Sequence, residues 1–149
     1  MVCTSCFGAS GRTEDYVSEH AAACQEHGIA PDYERWLEGR ERGLERFCTA
    51  RNGYSIGSVG GSYQDVCFAG AEMEFRRGYD LGLRMNRVRS RLEQIENEIR
   101  TIEGTLSVKA DKLTEDERQR LNYRLRELDY ERGYVRRDHD ELEWRGRSL

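Results

Sequence analysis

"GRERGLERFCTARNGYSIGSVGGSYQDVC", residues 39–67, holds six of the chain's fifteen glycines and two of its five cysteines. Its reading decides the fold, because the sequence on either side of it is patterned as helix. From residue 49 onward it reads as turn and short extended segments. Asn52-Gly53 is a hairpin signal, Gly57 and Gly60-Gly61 interrupt any regular element, and Tyr54 and Tyr63 are the only large rings. Glycine-rich loops can cradle phosphate, but this one lacks the P-loop lysine and has no βαβ unit around it, which disfavours a nucleotide site. A compact loop pinned by its cysteines fits the composition better.

Upstream, "IAPDYERWLEGRERGLERFC" restarts as a helix after Pro31, with Asp32 as N-cap and Tyr33, Trp36, Leu37, Leu44 and Phe47 supplying an apolar face. Before it, "TEDYVSEHAAACQEHG" reads as a shorter helix capped by Thr13 and stopped by Gly28, with Tyr16, His20 and Cys24 on one face. "WLEGRERGL", residues 36–44, returns 39 residues later as "FRRGYDLGL", residues 75–83. Glycine inside a helix costs about 0.5–1 kcal/mol relative to alanine, so a repeated pair wants a reason. Gly39 with Gly43, and Gly78 with Gly82, each lie on one face, where missing side chains permit a close crossing. The expectation is that these two helices cross there, with Trp36 and Phe75 at the margins.

Downstream, Leu81, Met85, Val88, Leu92, Ile95, Ile99, Ile102 and Leu106 alternate by four and three, a heptad seam with charges between. Gly104 and the polar stretch to Leu113 should end this helix. Thr114 with Glu117 three residues on forms a capping box that opens another. Its seam is Leu121, Leu125, Leu128, Val135 and Leu142, with Arg132 and His139 interrupting; His139 reads as a half-exposed seam histidine rather than a ligand. Two such helices joined by a short turn should fold back as an antiparallel hairpin. The organisation expected is a Cys/Gly-rich head over 1–70 and a hairpin arm over 71–149 whose first turns pack on the head.

The 149 residues are 35% charged and 37% hydrophobic, lean for one thick-cored globule. Residues 1–70 carry six Arg against ten Asp/Glu, a net of −4, and 71–149 carry eighteen basic against eighteen acidic, a net of zero. Neither half has the positive excess that nucleic-acid binding demands. No apolar run approaches the ~18–20 residues that cross a bilayer, and "MVCTSCFGASG" has no apolar signal region. As written, the chain reads as soluble and without an address.

The ordered strings "HAAACQEHGIAPD", "YERWLEGRERGLERFC" and "NGYSIGSVGGSYQDVC", then a Phe-x2-Gly-Tyr helix entering a charged coiled coil, resemble the uncharacterised bacterial family known as domain of unknown function 2799, from about Gly8 to Asn86. Members typically look like lipoproteins of Gram-negative bacteria. The resemblance therefore implies a periplasmic or outer-membrane setting, with a lipid anchor in a longer precursor, and carries over no catalytic residue. Here "MVCTSCFGASGR" stands where members have a lipoprotein signal and a Trp-containing segment, which leaves a cytoplasmic variant open.

The cysteines at 3, 6, 24, 48 and 67 admit two readings. In one, Cys48 and Cys67 close the glycine-rich loop and Cys24 pairs with Cys3 or Cys6, which needs an oxidising compartment. In the other, Cys3, Cys6, His20 and Cys24 hold a zinc ion in a small adaptor, at spacing close to that of a zinc finger. An enzyme is the least supported class: no triad order, HExxH or GxSxG occurs, and a Cys24 thiol beside His20 or His27 sits on no identifiable site. The expected molecule is mostly α, a small cysteine-stapled helical head with a Gly-rich loop followed by a long helical hairpin. It is expected to need no cofactor and to meet a protein partner, or itself, through the hairpin.

Overall fold

The computed structural model describes residues 21–22, 25–28, 33–108 and 111–149. Among these the fold is helical without strands: α1 (Tyr33–Phe47), α2 (Ala50–Ser58), α3 (Ala69–Val108) and α4 (Glu115–Arg147). The chain divides into two compact units, 1–82 and 83–149, with the opening turns of α3 counted in the first. The helix expected over residues 13–28 lies mostly outside the described residues. Its expected stop is described: Gly28 has φ +67° and its N–H donates to the Gln25 carbonyl at 2.9 Å.

Residues 50–58 correct the expectation of turns and extended segments, for they form the helix α2. Local chemistry defines both of its ends. Thr49 is the N-cap in extended conformation, and its hydroxyl accepts from the Asn52 N–H at 3.2 Å. The Asn52 side chain, whose pairing with Gly53 signalled a hairpin, instead donates to the Phe47 carbonyl at 2.8 Å and ties α2 to the end of α1. At the other end the Gly60 N–H donates to Gly57 and the Gly61 N–H to Ile56, both at 2.9 Å, which is the Schellman pattern. Gly60 takes φ +74°, the left-handed conformation that this pattern requires.

The core of the first unit is small: Leu44, Cys48, Phe75 and Leu81 are its buried apolar side chains among the described residues. Phe75 is fully buried, with the ring of Phe47 stacked 5.3 Å away and that of Tyr63 at 4.4 Å.

In the second unit the heptad seam closes as a hairpin. Ile95, Ile99, Ile102 and Leu128 form the buried cluster, and Leu106, Leu121, Leu125 and Val135 pack against it half-buried. Two cross-helix ion pairs give the register. Arg91 meets Glu131 at 2.5 Å, and seven residues on, Glu98 meets Arg124 at 2.7 Å, so the two helices run antiparallel. Met85 and Leu142 are buried, while Val88 and Leu92 are half-buried. α3 continues through Gly104 and ends at Val108, within the stretch to Leu113 where its end was expected, with seam residues Ile102 and Leu106 packing both flanks of the glycine onto α4. The expected capping box is present: the Thr114 hydroxyl accepts from the Glu117 N–H at 3.3 Å, and the Glu117 carboxylate accepts from the Thr114 N–H at 2.9 Å.

Candidate functional site

Within the first unit the most elaborate construction is the way α2 is fixed to α3. Cys48, just after α1, and Cys67, just before α3, form a disulfide with Cα atoms 5.6 Å apart, so α2 and the loop after it lie inside a covalent ring. Beneath the ring the two helix backbones touch. A Cβ added at Gly78 would come under 3.0 Å from backbone atoms of Ala50; one at Gly82 would strike Tyr54, Gly57 and Ser58; one at Gly53 would strike Phe75 and Tyr79. Gly53 and Gly57 are buried on α2, and Gly78 and Gly82 on α3.

This corrects the expected crossing. Gly78 and Gly82 do permit a close approach, but the element they admit is α2, not the Gly39/Gly43 face of α1. Gly39 has nothing within 4 Å, and Gly43 is half-buried. Phe75, expected at a margin, is at the centre of the core, and Trp36 is half-buried on α1. The residues missed were Ala50, Gly53 and Gly57. The signal for them was present, since Gly53-x3-Gly57 repeats the spacing of the two pairs that were singled out, masked by the hairpin signature of Asn52-Gly53.

The loop after α2 is tied to α3 by two tyrosines. The Tyr79 hydroxyl donates to the Gly61 carbonyl at 2.8 Å. The Tyr63 hydroxyl accepts from the Cys67 N–H at 3.1 Å and donates to the Glu72 carboxylate at 2.5 Å. Glu72 also pairs with Arg76, which reaches Asp65 at 2.5 Å and lies over the Tyr63 ring, 5.4 Å from its centre. Burial, followed by the bond to Glu72, pushes the Tyr63 hydroxyl pKa up. The same bond, with help from Arg76, holds the Glu72 carboxyl below its ordinary value. These groups hold the loop in place, and each is used up in doing so.

In the hairpin the Arg124 guanidinium grips Glu98 through two bonds, at 2.7 and 3.1 Å, and holds that carboxyl below its ordinary value. His139 is half-buried with Nδ1 3.3 Å from Asp140 Oδ1. Ligand atoms of His139, Asp140 and Glu143 lie within 4.8 Å of one another, but Glu143 already pairs with Arg147 at 2.7 Å and Asp140 faces solvent. The alternative zinc ligands Cys3, Cys6, His20 and Cys24 lie outside the described residues, as do the cysteines expected to form a second disulfide. No described helix is long and apolar enough to cross a membrane.

Residues 6–84 match the model of a protein family described as "Protein of unknown function (DUF2799)", a span that takes in α1, α2 and the opening of α3. No curated protein and no solved structure matches the chain.

Proposed function

Since the chain belongs to the DUF2799 family of proteins of unknown function, its role has to be read from its own build, and we propose that it is a non-enzymatic structural or protein-interaction module of the bacterial cell envelope. The observation that carries this reading is the Cys48–Cys67 disulfide around α2. Such a bond persists in oxidising compartments and is rare where thiols are kept reduced. Among the described residues the head buries only four apolar side chains, Leu44, Cys48, Phe75 and Leu81, and beside them a ring of this length is worth about 3 kcal/mol. The polar groups beside it are bonded to one another and brace the loop. The hairpin, closed along one seam, offers its outer faces to a partner.

The test is thiol trapping in cells of the source bacterium followed by fractionation. Cys48 and Cys67 protected from alkylation until reduction, in protein that partitions with the envelope, is the expected result. Reduced thiols at both positions in protein from the cytosolic fraction would overturn the reading.

A further inference from the structure

α4 carries two heptad seams. The first, Leu121 to Leu142, closes the hairpin. The second runs two residues behind it, on the opposite side of the helix, and takes the same alternation of four and three through Tyr123, Glu127, Tyr130, Tyr134, Arg137 and Glu141, to end at Trp144. Among the described residues its rings stand exposed: Tyr130 and Trp144 are each 69% exposed, Tyr123 59% and Tyr134 49%. Four large aromatic rings along one 33-residue helix are an unusual thing to leave in water. They are also held in place. Tyr130 and Tyr134 pack edge to face at 4.8 Å with their hydroxyls 2.6 Å apart, and the Arg137 guanidinium lies 4.5 Å over the Tyr134 ring.

The order of residues along this seam is self-complementary when reversed. Turned end for end about the midpoint of Tyr130 and Tyr134, the seam sets Tyr130 against Tyr134 and Glu127 against Arg137. It sets the Tyr123 hydroxyl against the Glu141 carboxylate and brings Arg120, one turn outward, level with Trp144. A parallel arrangement would instead oppose Glu127 to Glu127 and Arg137 to Arg137. The charge of α4, nine Arg against ten Asp/Glu, gives an anionic surface or a nucleic acid no purchase.

We propose that a second copy of the chain docks on this face, the two α4 helices running antiparallel about a two-fold axis between Tyr130 and Tyr134. This rests on the interaction-module reading and names its partner. Each contact off the axis is made twice, so the two Tyr130–Tyr134 layers form the apolar centre and two Glu127–Arg137 layers flank it.

Sedimentation equilibrium of the full oxidised chain tests this, from about 1 to about 100 µM, the range in which a modest dimer forms. The mass should rise from 17.4 kDa toward twice that value. Arg137→Glu should weaken the dimer about 10-fold or more, and Glu127→Arg likewise, while the double variant Glu127→Arg/Arg137→Glu restores it. Tyr130→Ser/Tyr134→Ser should abolish it with helicity unchanged by circular dichroism. A monomer at every concentration would overturn the proposal, as would a dimer indifferent to the tyrosine variant or double charge reversal without rescue. A monomer would leave the envelope reading standing, since thiol trapping and fractionation decide that separately.

Discussion

At the scale of single residues, the glycines divide by what a methyl group would meet. Gly78 and Gly82 face backbone of α2, which cannot swing aside as a side chain does. Gly78→Ala and Gly82→Ala should each cost about 1–3 kcal/mol or more through overpacking, against the ~1 kcal/mol that alanine gains in an ordinary helix position. Gly39 and Gly104 meet nothing within 4 Å, so alanine there should stabilise by about 0.5–1 kcal/mol. Urea unfolding of the four variants reads the contrast directly. Glu72 gives a second test. The Tyr63 hydroxyl and Arg76 depress its pKa, so the folded state binds its proton more weakly than the unfolded chain does. Its contribution is complete above the ordinary carboxyl value of 4.5 and fades as pH falls through the lower folded value. Thermal melts from pH 6 downward should show an acid loss that is shallower in Glu72→Gln; equal slopes would deny Glu72 this role.

At the scale of elements, the hairpin depends on its seam and its cap. Leu128 is fully buried between Ile95, Ile99 and Ile102, and Leu128→Ala should cost about 2–5 kcal/mol. Thr114→Ala should cost about 1 kcal/mol by removing the acceptor for the Glu117 N–H. Helicity followed at 222 nm through a melt checks both. These two features were legible in the sequence because heptad spacing and a capping box are local patterns whose residues act where they stand. α2 was not legible. Asn52, Gly53, Gly57 and Gly60 each favour a turn on their own, and the helix forms because the Thr49 cap, the Gly60 stop and backbone contact with α3 outweigh those preferences. Ala50 meets Gly78, 28 residues further along the chain and beyond the reach of any local pattern. The same limit explains why α1 was credited with the crossing: its Gly39/Gly43 pair has the right spacing, and spacing alone does not say what stands opposite.

At the scale of the whole molecule, the chain invests in two different ways of ordering helices. The hairpin uses apolar burial along a seam, with ion pairs outside it setting register. The described part of the head buries few apolar side chains and adds a covalent bond and glycine contact. Cys48→Ser/Cys67→Ser should therefore destabilise the head by about 3 kcal/mol, read as earlier loss of near-ultraviolet dichroism from Tyr63 and Tyr79. Unchanged dichroism across the melt would mean that the glycine crossing suffices without the bond. The ring also changes what a protease can do. A single cut anywhere between residues 49 and 66 opens the peptide backbone without parting the two halves, because Cys48 and Cys67 remain joined. The segment richest in glycine can thus be nicked and stay assembled, its damage recorded as one added water in the intact mass and released as two fragments only when the disulfide is reduced.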